Sequence, residues 1–282
     1  MKKTNAARSA SIALGIALLA LGSLQALGAD YFSQDFIKPY DETITIDLGG
    51  IVNQFDTSLR LNGQSSQGTD INLENNGLKK NLSSFEGLLT WRFMTRHRID
   101  IDYYTVSRQG THTYTGDINI GGNDYPIGAT VGIHNKYDLG SLDYRYSFYQ
   151  TPDVEWAAIL GIYGGKITFD VNADPNAAAG STYNKSSSTT LPLPLLGLGV
   201  DWYPSVQTRL GARAMGMQAK ISDVNGHIYQ FAVEGEYMLV RNLGIGARWL
   251  YTDIKVDVDK SAFDGGLTWR ANSASLFAKL TF

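Results

Sequence analysis

Four histidines are the residues of this chain best suited to acid–base chemistry at neutral pH. His97 lies in a short basic turn, whereas His112, His134 and His227 lie in or near longer polar segments. A histidine activates a serine, or works with a carboxylate, only when the two groups come within hydrogen-bond reach. The sequence does not supply that distance. We therefore keep a hydrolase with a rim histidine as the alternative hypothesis and interpret His97 as a solvated turn residue.

The stretch DINLENNG, residues 70–77, is the other segment with ligand-binding chemistry. An EF-hand calcium loop needs glycine at its sixth position and glutamate at its twelfth, where this chain has Asn75 and Asn81. The chain has no cysteine and no zinc-cluster or phosphate-loop motif. We expect no catalytic residue, no metal site and no cofactor.

Alternating polarity with a period of two residues dominates the chain and predicts β-strands. In the segment 83–94, Phe85, Leu89 and Trp91 share one face, and Glu86 and Arg92 share the other. The predicted strands cover residues 43–60, 82–94, 98–109, 131–149, 154–170, 190–203, 207–220, 228–240, 243–257 and 267–282.

The connections and the aromatic residues favour a membrane barrel over a soluble sandwich. Tiny turns, at 95–97, 151–153, 204–205 and 241–242, alternate with mostly long polar segments, as in barrels with short periplasmic turns and longer extracellular loops. Most aromatic residues near the tiny turns, such as Trp91, Tyr144 and Trp202, fit a girdle at one membrane interface. A sheet that crosses a bilayer must close, because lipid cannot satisfy a free strand edge. We predict an all-β, closed antiparallel up-and-down transmembrane barrel of about ten strands, with eight as the alternative.

In such a barrel the charged faces of the strands point into the lumen. The predicted lumen residues are Glu86, Arg92, Asp100, Asp102, Asp143, Arg145, Asp201, Arg213, Glu234, Glu236, Arg248 and Lys279. Charges at that depth are costly unless they are paired, and a barrel of this size is narrow. We predict an ion-pair network that plugs the lumen, with a narrow polar conduit as the alternative.

The N-terminal 29 residues have the order of a secretory signal peptide. Lys2, Lys3 and Arg8 precede an apolar run over residues 12–21, and Ala29 is a small residue at the expected cleavage site. An uncleaved anchor helix is the alternative, but the run is shorter than the roughly 20 residues a spanning helix needs. Without residues 1–29, 21 basic and 27 acidic groups remain, a net charge of −6. This acidity argues against a nucleic-acid partner.

The last strand resembles the assembly signal of Gram-negative outer-membrane proteins. It ends on Phe282 with Leu280, Ala278 and Leu276 at alternate positions before it. The chain as a whole is similar to the small outer-membrane barrel superfamily that includes the OmpA-like and OmpW-like barrels. The segments GTDINLENNGL, TWRFMTRHRIDIDYY and LTWRANSASLFAKLTF resemble a mostly uncharacterised subgroup.

This resemblance implies a location and a set of partners. We expect a cleaved signal peptide (1–29) and one barrel domain (30–282) in the outer membrane. The barrel would contact lipid and lipopolysaccharide, and the barrel-assembly machinery would assemble it through its last strand. Lys79 and Lys80 could contact lipopolysaccharide phosphates. We expect a monomer with a structural envelope role or narrow passage or binding of a small solute. The alternative hydrolase would be of the lipid A deacylase, lipase or protease type.

Overall fold

The computed structural model describes residues 35–62, 68–75, 77–113, 118–120, 123–125, 130–174, 183–190, 192–221, 224–260 and 263–282. The predicted signal peptide lies outside the described residues. The strands are β1 (Ile44–Leu61), β2 (Ile71–Asn72), β3 (Asn81–Met94), β4 (His97–Thr113), β5 (Ile118–Ile120), β6 (Asn123–Tyr125), β7 (Thr130–Gln150), β8 (Val154–Asp174), β9 (Tyr183–Thr190), β10 (Leu193–Ser205), β11 (Thr208–Ile221), β12 (Val224–Val240), β13 (Leu243–Lys260) and β14 (Phe263–Thr281). No helix in this part of the chain is long and apolar enough to span a membrane.

The main sheet closes into a ten-stranded antiparallel barrel, which confirms the predicted fold and the larger of the two strand numbers. Each wall strand pairs with its neighbour in sequence, and β8 pairs with β10. β1 closes the ring because it pairs with β14 on one side and with β3 on the other. β9 prolongs β10 along β8, and the short strands β5 and β6 form a separate hairpin.

The two ends of the barrel differ, and we call them the turn end and the loop end. The turn end holds the start of β1, the end of β14 and the connections 95–96, 151–153, 206–207 and 241–242. One predicted turn is misplaced by two residues. Pro204 and Ser205 belong to β10, and the turn is Val206–Gln207, because the register shifts between Trp202 and Ser205 and carries the strand further.

The half of the barrel next to the turn end has apolar side chains outside and polar side chains inside. Leu48 on β1, Leu160 on β8 and Leu276 on β14 point outward and are 39%, 56% and 72% exposed. Their alternate neighbours include the buried residues Asp47 and Ser275. This is the arrangement that the alternating pattern predicted.

The half next to the loop end has the opposite arrangement. The change is visible at two adjacent residues of β4, where Tyr103 points outward and is 55% exposed and Tyr104 points inward and is 4% exposed. Beyond them the inner face carries Val106, while Thr105 and Ser107 face outward. The sequence analysis did not anticipate this second, apolar interior.

Candidate functional site: a charged lumen below an apolar core

The lumen of the turn-end half holds a dense layer of charged side chains. In the described part of the chain its acids are Asp47, Glu86, Asp100, Asp102, Asp143, Glu155, Asp201, Glu234 and Glu236, and its cations are Arg92, Arg98, Arg145, Arg209, Arg213, Arg248 and Lys279. Strand alternation brings one to three of these groups from each of the ten wall strands into the lumen. Charges removed from water in this way need partners.

Asp201 is the hub of one cluster. One of its oxygens, Oδ2, accepts hydrogen bonds from Arg98 Nη2 at 2.6 Å and from Arg145 Nη2 at 3.1 Å. The other oxygen, Oδ1, accepts a hydrogen bond from Arg209 Nη1 at 2.6 Å. Three strands, β4, β7 and β11, are therefore tied to β10 at this level.

Glu155 is the hub of a second cluster, close to the turn end. Its carboxylate is fully buried and accepts two hydrogen bonds from Arg92, at 3.1 Å and 3.3 Å. Arg98 lies 3.5 Å from Oε2, and Ser147 donates from its hydroxyl. Such two-point arginine–carboxylate contacts fix the orientation of both groups.

Arg248 organises the third cluster on the opposite wall. It lies 2.8 Å from Glu234, 3.3 Å from Glu86 and 3.5 Å from Asp47. Its guanidinium also lies 5.1 Å from the centre of the Phe277 ring, which is within range for a cation–π contact. Three further ion pairs lie on the same wall. Arg209 pairs with Glu234 and Glu236, and Lys279 pairs with Glu236.

Three of the predicted lumen residues have no ion pair within 4.0 Å among the described residues. Asp102 and Asp143 are buried, and Asp143 accepts a hydrogen bond from Ser141 at 3.0 Å. Arg213 lies near these carboxylates without a direct contact. The two carboxylates lie at the boundary with the apolar half, and Arg213 also lines the cavity at the turn end.

Four charged residues of the network were missed by sequence reasoning: Asp47, Arg98, Glu155 and Arg209. Arg98 and Arg209 each share a strand face with predicted members, two and four residues away, so the alternation could have identified them. Asp47 alternates with Ile46 and Leu48, so the same pattern could have identified it as well. Glu155 is the second residue of β8 and is followed by a mostly apolar run, so its position gave no such signal.

A small cavity lies inside the turn end and opens there. It has a volume of about 80 Å³ and is lined by Thr90, Asp100, Arg145, Arg213 and Glu236 from the walls and by Lys38 from the N-terminal segment. At about 15 Å³ for each water, it has room for about five water molecules. The cavity reaches only the charged layer.

The N-terminal segment 35–43, which we call the strap, crosses the turn end. The Tyr40 hydroxyl donates a hydrogen bond to the Thr151 carbonyl at 2.6 Å, and its ring packs edge-on against Tyr203 at 5.3 Å. Burial and the nearby Glu155 carboxylate raise the pKa of the Tyr40 hydroxyl well above its usual range, so the hydroxyl keeps its proton. Glu42 of the strap lies 3.5 Å from Arg92.

Apolar side chains fill the interior of the loop-end half. Phe55, Tyr137 and Trp269 form a ring cluster with centres 5.8 to 6.4 Å apart. The segment after β2 folds inward, so that Leu73 and Leu78 are almost completely buried in this core.

One arginine lies inside this apolar core. Arg108 is 1% exposed and lies over the Phe55 ring at 4.4 Å. It donates to Glu74 at 2.5 Å and to Thr57 at 2.9 Å. The carboxylate of Glu74 also accepts from the backbone of Thr57 at 2.7 Å. The stretch DINLENNG, which lacks the glycine and glutamate of a calcium loop, therefore supplies Glu74 as an anchor that holds the inward segment against β1 and β4.

The structure places the histidines in different surroundings. His97 begins β4, and its Nδ1 lies 2.6 Å from the Tyr144 hydroxyl on the outer face, so it belongs to an aromatic girdle rather than to a solvated turn. His227 lies on the outer face of β12, with Nε2 3.9 Å from Asp253 Oδ1 and its ring stacked on Tyr229. His134 also faces outward from β7, beside the inward residue Asn135.

The two remaining predicted features lie on the outside. Lys79 and Lys80 are exposed near the loop end. Phe282 is 57% exposed and lies where the first and last strands meet. Its carbonyl accepts hydrogen bonds from the backbone of Thr43 at 2.7 Å and of Ile44 at 3.1 Å, and its own amide donates to Ile44 at 2.8 Å. Leu276, Ala278 and Leu280 lie along the outer face of the same strand, with Leu276 the most exposed of them.

Comparison with solved structures identifies the fold. The barrel is similar to the outer-membrane protease OmpT from Escherichia coli, with a TM-score of 0.55 and 11% sequence identity over 89% of this chain and 100% of that chain. The fold is that of an outer-membrane β-barrel. This barrel also matches Ail from Yersinia pestis, with a TM-score of 0.31 and 12% identity over 86% of this chain and 99% of the other. It matches the toluene transporter TodX from Pseudomonas putida with a TM-score of 0.38 and 8% identity over 88% and 93%. No family model and no curated protein matches the sequence.

Proposed function

We propose that the chain is a closed, non-enzymatic barrel of the Gram-negative outer membrane, with its turn end in the periplasm. The apolar band around the turn-end half supports the membrane placement, because large exposed apolar surfaces mark contact with a membrane or a partner, and this band has the position of the outward apolar band of outer-membrane barrels. The wall strands support it too, since β7 and β8 each have 21 residues. Crossing takes only about 9 to 11 residues, so the loop-end half would project outside the cell.

The observation that carries the closed state is the filled interior of the loop-end half. Ring packing around Phe55, Tyr137 and Trp269 and the inward segment with Leu73 block the axis above the charged layer. The plug is therefore double: ion pairs in the membrane and an apolar core outside it. A continuous polar conduit has no support from this arrangement, and the cavity at the turn end is a blind recess.

Three further expectations belong to this proposal. The chain is exported by a signal peptide cleaved near residue 29, and it is assembled through its last strand by the barrel-assembly machinery. It acts as a monomer in a structural envelope role, surrounded by lipid and lipopolysaccharide. The outward position of His227, with 3.9 Å to Asp253, gives no support to a catalytic pair in a cleft, so the rim hydrolase is not proposed.

Current recordings in planar bilayers test the closed barrel. The purified protein should give no discrete conductance steps, and a variant lacking residues 35–42 should also give none, because the apolar half still blocks the axis. Conductance steps in the strap variant alone would show that the strap, and not the apolar core, closes the lumen. Steps in the unmodified protein would overturn the proposal.

A further inference from the structure

The barrel wall has a seam beside the apolar core. Backbone pairing between β10 and β11 runs from the turn end only as far as Leu196 and Gly216. Beyond that point the described residues of β11, up to Ile221, pair only with β12. On the other side, residues 193–195 of β10 and all of β9 pair only with β8. Residues 192–195 and 217–221 therefore lie next to each other without a ladder between them.

Two prolines explain this seam. Pro192 and Pro194 occupy alternate positions of the strand, and alternate residues of an antiparallel strand direct their backbone groups toward the same neighbour. Proline has no amide hydrogen, so two successive donors toward β11 are missing. Separating the two strands here breaks no backbone hydrogen bond.

The seam is at the level of the outer membrane interface in the proposed orientation. Counting the roughly 9 to 11 residues of a membrane crossing from Trp202 in the girdle reaches residues 192–194. The outward side chains change from apolar to polar at this height. Leu196 is an exposed apolar residue (59%), whereas the exposed residues Gln218 and Lys220 are polar. Molecules dissolved in the outer leaflet can therefore reach the seam.

An apolar pocket in the loop-end half includes one residue of the seam in its wall. It is lined by Leu193 of the seam, by Tyr163 of β8, and by Tyr137, Val256 and Trp269 of β7, β13 and β14. Its present volume of about 20 Å³ holds no more than about one water molecule. A ligand must therefore widen it, and the seam with Leu193 is the part of its wall that can move without loss of ladder bonds.

One residue of the pocket wall, Trp269, has an unsatisfied hydrogen-bond donor. Trp269 is 3% exposed, and its Nε1 has no hydrogen-bond partner in the described part of the chain. The other polar groups at the pocket are occupied: the Tyr163 hydroxyl bonds to Tyr104 at 2.7 Å, and Arg108 donates to the Tyr137 hydroxyl at 3.0 Å. A buried indole N–H usually finds a partner, and leaving it without one is costly.

We propose that this pocket binds a small apolar molecule with one acceptor oxygen, such as an acyl ester, which enters from the outer leaflet through the β10–β11 seam. The aliphatic and aromatic walls hold the apolar part, and Trp269 Nε1 donates to the oxygen. The route of entry rests on the proposed membrane placement, whereas binding itself does not, so its test is independent of the bilayer recordings.

Equilibrium dialysis against matched empty micelles measures binding with two probes of the same heavy-atom count, methyl hexanoate and nonane. With the uptake of each probe expressed relative to its uptake by empty micelles, the unmodified protein should favour the ester over nonane by about tenfold, since one hydrogen bond is worth about that factor. Trp269→Phe should remove this preference and keep nonane binding. Trp249→Phe is the matched control, because Trp249 Nε1 bonds to Asn272 on the outer face, and it should keep the preference.

Leu193→Trp provides a second, independent test that does not alter the donor, because it should fill the pocket and reduce the binding of both probes. Unfolding curves of each variant establish that the barrel is intact. The proposal is overturned if the unmodified protein takes up no more probe than empty micelles. It is also overturned if an intact Trp269→Phe variant keeps its preference for the ester, or if Leu193→Trp binds both probes normally.

Cross-linking across the seam tests the route, since the chain has no native cysteine. A short bismaleimide link between Pro194→Cys and Gln218→Cys should slow ester uptake severalfold. The same link between Leu198→Cys and Ala214→Cys, which are paired in the intact ladder, should leave the rate unchanged. Equal rates for both linked proteins would exclude entry through the seam.

Discussion

Arg92 and Glu155 form a two-point ion pair in the lumen, with hydrogen bonds of 3.1 Å and 3.3 Å and side-chain exposures of 2% and 0%. The two residues are 63 positions apart in the sequence and connect β3 to β8 across the barrel. Because both groups are removed from water, each depends on the other for its stability.

Replacing Glu155 by Gln should destabilise the barrel by about 3–5 kcal/mol, the usual effect of removing one partner of a buried pair. The remaining carboxylate contact of Arg92 would be the longer one with Glu42, at 3.5 Å, beside its hydrogen bond to the Thr95 carbonyl at 2.9 Å. Urea unfolding in detergent micelles measures the change. As a control, Asp56→Asn alters an exposed pair with Arg270 at 3.7 Å and should cost less than about 1 kcal/mol. Equal effects of the two substitutions would contradict the buried network.

Arg209 and Arg213 offer a comparison on one face of one strand. Arg209 contacts Asp201, Glu234 and Glu236, whereas Arg213 has no ion pair within 4.0 Å among the described residues. Arg209→Gln should therefore cost about 3–5 kcal/mol, and Arg213→Gln about 1 kcal/mol or less, as expected for a charge without a direct partner. Midpoints of thermal unfolding, followed by heat-dependent gel mobility, rank the two variants. A larger loss for Arg213→Gln would show that direct contact is not what stabilises the lumen.

The sequence was sufficient for the fold and for much of the charged layer. Alternation placed Arg92, Asp201 and Arg248 on the polar faces of their strands. In a closed membrane barrel those faces point into the lumen. The partners could not be predicted, because pairs such as Arg92 with Glu155 depend on the stagger of strands that are remote in sequence.

The alternating pattern could not predict that polar side chains face outward and apolar side chains face inward in the loop-end half. Alternation separates two faces but does not say which one is interior. At Tyr103 and Tyr104 both faces are aromatic, so the point of change has no signature in the sequence. The inward course of the segment after β2 was not predicted either, because its two buried leucines, Leu73 and Leu78, stand among polar residues.

Phe282 allows assembly to be separated from stability. Its ring is 57% exposed on the outer face, while its backbone makes the closing hydrogen bonds with Thr43 and Ile44. Phe282→Ala keeps that backbone, so the unfolding free energy of the purified barrel should change by less than about 1 kcal/mol. The amount of folded barrel recovered from cells should nevertheless fall severalfold, because the proposed assembly signal is lost. Phe85→Ala, at a 51% exposed site on the outer face of β3 and outside the proposed signal, serves as the control and should leave the recovery unchanged. If Phe282→Ala lowers stability as much as recovery, the residue is structural and not a signal.

The central claim is that the lumen is wet at the turn end and dry beyond the charged layer. Single cysteines at Thr90, which lines the turn-end cavity, and at Val106, which is 2% exposed in the apolar core, test it directly. In protein reconstituted in nanodiscs, a small water-soluble maleimide should modify Thr90→Cys and leave Val106→Cys unmodified over the same period. Modification of both at similar rates would mean that water runs through the whole barrel and would contradict the closed-lumen account.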